Sequence, residues 1–378
     1  MTNTPFKNRG AFRIIRADMI ESIPKSIFTA GLILLTMTIP YSSERKIVVP
    51  VNGAKPVGPY SPGLLVGDYL YASGQGVRDK DGVAPESLAA QTRQCLENVK
   101  AIVETAGLTM EHVVHMQLYL EKMSWLGEVD RVYAEYFPKN PPARVVIGTA
   151  KMPTDTTVEM TVVAARDLKM KKVLALKSLT PLGQASSAVE VGDRVYLSAV
   201  YGKSQAEAEE SVKKVLAEAK LKNDQIVFRN DYGSSASAMI PMNELPDGAG
   251  AAISVIAARK GVKRANGSAS FCAADGSTIF CSAQTGASAN DLTVQAQTQA
   301  VMKKLQAGLA AHGADFSHIV ATNVYLDDIR EFKTMNETYA TFFSSSPPTR
   351  TTVQPFPAAD RSQGGPALAR ISLVAVKE

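Results

Sequence analysis

Two opposite charges stand in a stretch otherwise short of them: Arg144 and Glu159, within PPARVVIGTAKMPTDTTVEMTVVAAR from Pro141 to Arg166. A guanidinium offers a planar pair of donors suited to a carboxylate, and a neighbouring carboxylate can take a proton from water. The same two residues can also form a plain cross-strand ion pair, which is common and contributes little. The elements that must position them read as strands. Ala143–Ala150 and Thr157–Ala165 are rich in β-branched residues, and Met152-Pro153-Thr154-Asp155 punctuates between them. That pattern predicts a hairpin that brings both charges to one pocket.

With 378 residues and ordinary hydrophobic and charged fractions, the chain reads as a soluble globular protein of two or three domains. Residues 1–46 hold seven basic and three acidic residues, so they carry +4 of the net +5. The nearly neutral remainder has no electrostatic footprint for a nucleic-acid backbone, and no nucleic-acid partner is expected. Cys95, Cys272 and Cys281 form no C-x-x-C and no disulfide framework. His112 and His115 lack the neighbouring ligands of a metal site, and no metal is expected. Ile27–Ile39 is a thirteen-residue uncharged run behind basic residues, too short for a membrane span and suited to a signal-peptide core. Export to the periplasm is therefore expected, with a cytoplasmic location as the alternative. Membrane contact is expected only through this leader, if it stays uncleaved.

The body repeats itself. GDYLYASGQ from Gly67 recurs as GDRVYLSAV from Gly192 and as GSTIFCSAQ from Gly276. A helix follows each time, with Leu88, Thr92, Cys95, Leu96, Val99, Ile102 and Val103 at helical spacing in the first copy. A strand comes next: VVHMQLYL, IVFRNDY and IVATNVYL. The first and third copies continue into a second helix ending YAEYF and YATFF, then reach Pro141-Pro142-Ala143-Arg144 and Pro347-Pro348-Thr349-Arg350. The middle copy skips that helix. The reading is a leader (1–46), a complete domain (47–170), a truncated one (171–261) and a third (262–378). The complete copies read as α+β units of order β-β-α-β-α-β-β, the middle one truncated, and the sheet face away from the helices is apolar and needs a partner.

Residues 54–168 resemble a full-length member of the Rid/YjgF family, the reactive-intermediate deaminases, also named L-PSP endoribonucleases. The resemblance rests on Gly58-Pro59-Tyr60, Ser73-Gly74-Gln75, the helix AAQTRQCLENVKAIVETAGL, Pro142-Ala143-Arg144, Met152-Pro153 and Val158-Glu159-Met160. The third copy is similar with eroded motifs, and the second mainly in its order. The resemblance implies a chorismate-mutase-like fold and homotrimers with clefts between subunits. Three fused copies would then form one pseudo-trimer from a single chain, a monomer in place of a homotrimer. It also implies hydrolysis of 2-enamino and 2-imino acids to 2-oxo acids and ammonia without a cofactor. In that reading Arg144 holds the substrate carboxylate and Glu159 activates water. Tyr60 closes the pocket, and the backbone around Ser73 and Gly74 approaches the substrate.

Departures from the family pattern bear on this. Asp130 stands where the family has Asn, and facing the cleft it would repel an anionic substrate. The third copy keeps Arg350 and Asn336 but has Arg370 at the Glu position, Ala269 near the Tyr position and Ser282-Ala283 for Ser-Gly. In the second, the Arg and Glu positions fall near Ser237 and Ala252. At most one or two of three clefts can be competent, and one of them can combine Arg350 with residues of the first copy. The expectation is an enamine/imine deaminase with its main site on the first copy. The alternative is a non-catalytic pseudo-trimer that binds a small carboxylate or a protein. RNA cleavage is disfavoured by the neutral body and the lack of a catalytic histidine pair. Because two of the three copies omit the Arg/Glu pair while keeping the strands, it reads as a working pair rather than a structural one.

Overall fold

A computed structural model describes residues 45–287, 292–343 and 346–377. Apart from its last two residues, the leader lies outside them. Three sheets follow one another along the chain, one per copy. The first contains Lys46–Val48, Gly63–Val66, Tyr69–Ala72, Val113–Leu120, Ala143–Gly148 and Val158–Ala165, with helices α1 (Leu88–Thr105) and α2 (Leu126–Tyr136) on one face. The second keeps only α3 (Gln205–Glu218), and its outermost strand shrinks to Ile240–Pro241. The third repeats the first, with α4 (Val294–Ala310) and α5 (Phe332–Ala340). The α+β repeats and the truncated middle copy are as expected.

Each copy opens with a strand that the pattern did not announce: Lys46–Val48, Lys171–Leu174 and Val262–Arg264. These are three- or four-residue edge strands with largely exposed lysines, too short to show alternation.

The expected hairpin is not one. Val113–Leu120 lies between its two arms, pairing parallel with Ala143–Gly148 and antiparallel with Val158–Ala165. The turn carries the chain over this central strand, with Thr154 and Asp155 at φ +59° and +52°. Arg144 stands opposite Met116, whereas Glu159 stands opposite Tyr119 on the other edge of the same strand. The two charges are thus held apart by a strand.

The sheet faces turned away from the helices meet each other. One shared cluster joins Leu64, Tyr69 and Tyr71 to Val189 and Tyr196 and to Phe280 and Val320, drawing on all three copies. A second joins Tyr119, Tyr232 and Tyr325, which hold the same place in the three central strands. One chain thus supplies the apolar partner that each sheet face needs, and the three copies form an internal pseudo-trimer.

Three serines fasten the ring. Ser73 Oγ accepts from the backbone N–H of Arg350 at 3.0 Å, Ser198 Oγ from that of Arg144 at 2.8 Å, and Ser282 Oγ from that of Arg229 at 3.2 Å. The first copy therefore leans on the third, the second on the first and the third on the second. Ser73 also donates to Ser61 O at 2.6 Å, so its hydroxyl is a joint between copies rather than a free substrate contact. In the truncated copy the residue at the joint is Arg229, not the region of Ser237. Without a full outer strand, Ile226–Gly233 itself reaches the joint.

The cysteine expectation is amended by one pair. Cys272 and Cys281 face each other on neighbouring strands and form a disulfide, while Cys95 is buried and donates to Gln75 O. His112 Nδ1 accepts from Thr109 N in a local cap, and His115 is buried beside the Tyr196 ring.

Candidate active site

The joint between the first and third copies holds a cavity of about 250 Å³. Arg350, from Thr349–Val353, reaches it only 4% exposed. Its guanidinium carbon lies 5.3, 5.4 and 5.1 Å from the ring centroids of Tyr60, Phe332 and Tyr339. Those rings stabilise the cation without using its hydrogen-bond donors. Both terminal nitrogens are buried and have no hydrogen-bond partner among the described residues. Burial pulls the Arg350 pKa below its usual value, but an arginine keeps its charge. A desolvated planar donor pair of this kind suits a carboxylate.

Two features of the first and third copies shape the space around it. A Cβ added to Gly58 would stand 2.6 Å from Arg350 Nη2, so only glycine lets that backbone pass. Asn336, on α5, lies beside Gly58, and its carbonyl oxygen is also buried without a partner.

Glu159 faces the same cavity from the first copy, 7% exposed. Burial pushes its pKa up to about 8, and Arg350 moderates the rise. The carboxyl is therefore mostly protonated at neutral pH and can both give and take a proton. Gly74 makes room for this carboxyl rather than for a ligand, because a Cβ there would stand 2.0 Å from Glu159 Oε1. Tyr60 closes one side, its hydroxyl accepting from Val57 N at 3.1 Å. Burial raises its pKa, so it stays a neutral phenol.

Arg144 belongs to a different cleft. At the joint of the first and second copies it donates to both Asp130 oxygens, at 2.6 and 3.2 Å, and to Leu182 O at 2.6 Å. Asp130 thus takes up the carboxylate-holding fork and does not face Glu159. Around it the cleft is closed. Tyr201 stands where the first copy has Gly76, and its hydroxyl bonds to both the N–H and the C=O of Val146, each at 2.9 Å. Ala252 replaces Glu159, since it pairs with Tyr232 as Glu159 pairs with Tyr119. Arg144 is a strut after all, and the expectation that it shares a pocket with Glu159 is corrected.

Among the described residues the third joint is likewise without a free clamp. Arg229 is held by Asp231 at 2.8 Å and Glu209 at 3.0 Å, and Arg370 occupies the position of Glu159. Of the expected residues, the structure gathers Tyr60, Gly74, Glu159, Arg350 and Asn336 at one joint and places Arg144 and Asp130 at another. Sequence reasoning passed over Gly58, Gly76 and Phe332 as shapers of the cavity. The Gly76/Tyr201 contrast was the available signal, because the open and closed clefts differ there.

A family model for endoribonuclease L-PSP matches residues 52–166 and 263–357, leaving out the whole of the truncated copy. A RutC family protein of Pyrococcus horikoshii is 35% identical over 125 residues, 32% of this chain and 99% of that protein. Another, from Saccharolobus solfataricus, is 37% identical over 124 residues, 32% of this chain and 98% of its own length. Among solved structures, the YjgF gene product of E. coli is 32% identical over 32% of this chain and 99% of its own, with a TM-score of 0.32. The family segments fall on the two complete copies, and the chain belongs to the endoribonuclease L-PSP family, also known as Rid/YjgF, as a tandem of copies.

Proposed function

We propose that the protein hydrolyses 2-enamino and 2-imino acids to 2-oxo acids and ammonia at the joint of its first and third copies. Family membership supports a deaminase or small-molecule-binding role. The observation that carries the finer reading is the buried Arg350 guanidinium, both forks free, facing a protonatable Glu159 across one cavity.

Arg350 takes the substrate carboxylate, and the Tyr60 and Phe332 rings exclude water around it. Protonated Glu159 gives its proton to the β-carbon of an enamine or the nitrogen of an imine, leaving an iminium at C2. The resulting carboxylate accepts a proton from water as the water oxygen bonds to C2. That proton passes to the nitrogen of the carbinolamine. The C–N bond breaks with its electron pair on ammonia, and the hydroxyl proton returns to Glu159 as the 2-oxo acid forms.

The test is ammonia release from 2-iminopropanoate generated in situ. Acceleration by the purified protein is expected. Binding of a small carboxylate with no acceleration would instead favour the non-catalytic binding module. Gly74→Ala should lower kcat about 100-fold by displacing the Glu159 carboxyl, the usual scale for misplacing a reacting group by about 1 Å. Full activity in that variant would remove Glu159 from the mechanism. The Cys272–Cys281 disulfide supports the exported location, since such bonds persist in oxidising compartments. Cell fractionation that finds the disulfide-bonded chain only in the cytoplasm would overturn that location.

A further inference from the structure

Besides Arg350 and Asn336, Thr352 is a further polar group at this joint without a partner among the described residues. It follows Arg350 by two residues on Thr349–Val353, so the strand's alternation directs both side chains to one face. Both line the cavity together with Glu159 and Gly74. Thr352 is 4% exposed, and its hydroxyl oxygen is buried with no hydrogen bond to the described residues. A buried hydroxyl facing a polar cavity is costly unless something in that cavity bonds to it. The closed second cleft offers an internal comparison. There the residue two beyond Arg144 is Val146, which carries no hydroxyl, and Tyr201 fills the space.

We infer that Thr352 holds the attacking water against Glu159, an assignment that rests on the deaminase reading. The hydroxyl can donate to the water oxygen or accept from one of its protons, which leaves the other O–H directed at the Glu159 carboxylate. Arg350 anchors the substrate's carboxylate end, and Thr352, on the same strand, fixes the water relative to that anchor. One rigid strand thus sets the distance between the two. The contrast between copies follows: the joint that keeps a carboxyl to activate water keeps a hydroxyl to hold it, and the joint with Ala252 has valine.

The test compares wild type, Thr352→Val and Thr352→Ser for kcat, KM and melting temperature. Valine matches threonine in shape, so the hydroxyl alone is removed. The expected result is a kcat for Thr352→Val reduced about 10- to 100-fold. KM should stay within about twofold, the melting temperature should not fall, and serine should restore kcat to within about threefold of wild type. An active wild type with an equally active Thr352→Val overturns this inference alone. A Thr352→Val variant that loses activity and melts lower, or a serine variant as impaired as valine, assigns the residue a packing role and also overturns it. A wild type without turnover overturns the deaminase reading and this assignment with it.

Discussion

Arg350→Ala is expected to lower kcat/KM for 2-imino acid hydrolysis by about two to four orders of magnitude, with the fold intact. Two charge-assisted hydrogen bonds to the substrate carboxylate disappear, each worth about 1.5–3 kcal/mol. Arg144→Ala should behave in the opposite way. Its guanidinium is already bonded to Asp130 and Leu182 O, and its side chain is 1% exposed. Removing it leaves the Asp130 carboxylate without its partner, a loss of about 3 kcal/mol for a pair this enclosed. Turnover per folded molecule should stay within a few-fold of wild type. Steady-state kinetics and denaturant titration on both variants separate the roles. If Arg144→Ala abolishes turnover at unchanged stability, the assignment of the site to the other joint is wrong. Lysine should not rescue position 350, because an ammonium lacks the planar fork.

The exchange of roles between these arginines shows where sequence reading reached and where it stopped. The repeats, the helices and the truncation were legible because each rests on local pattern: the recurring turn and apolar strand of GDYLYASGQ, helical spacing from Leu88 to Val103, and the proline pairs before Arg144 and Arg350. Tyr60, Gly74, Glu159 and Arg350 were legible as residue types at recurring positions. Their grouping was not. Ala143–Gly148 and Val158–Ala165 look like the arms of a hairpin, because nothing local reveals that Val113–Leu120 inserts between them. That insertion is a long-range pairing, and it places Arg144 and Glu159 on opposite edges of one strand.

The closed clefts were hidden for a related reason. Asp130 reads as a defect if it faces substrate, and as a partner once it is seen to face Arg144. The substitutions are also coupled. Where Glu159 is present, Gly74 leaves space for its carboxyl and Gly76 for the neighbouring Thr156. Where Ala252 stands in its place, Ala199 and Tyr201 fill that space. A ring of three copies needs three joints, and only one of them has kept a cavity with an unpartnered cation among the described residues. The other two retain the serine-to-backbone bonds that hold the ring together. The cavity and the arginine struts thus sit at different joints of one fold.

Glu159→Gln should abolish most activity and raise stability at alkaline pH. Activity falls about 10²- to 10⁴-fold, because an amide neither gives nor takes the proton. For wild type, kcat/KM should fall as pH rises through about 8, where the free protein loses the proton that starts the reaction. The stability effect has a definite sign. The carboxyl titrates at about 8 when folded, against 4.5 for the free group, so the folded chain keeps a proton that the unfolded chain releases. Its contribution is full below about pH 4.5 and is lost as pH rises through 8. At about 1.4 kcal/mol per tenfold change in proton affinity, this loss is on the order of 5 kcal/mol. Glutamine carries no such proton and should keep that stability at pH 9. His115 sets the opposite limb. Burial lowers its pKa to about 4, so the folded state resists a proton that the unfolded state accepts, and stability falls as pH drops from about 6.5 toward 4. Between about pH 4.5 and 6.5 the two effects oppose each other, so denaturant midpoints measured from pH 4 to 9.5 should form a plateau there in wild type and fall on either side. In Glu159→Gln the acid limb should remain and the alkaline fall should shrink. An unchanged alkaline fall in the variant would mean that the carboxyl is ionised in the folded protein at neutral pH. The first proton transfer would then have to come from another donor.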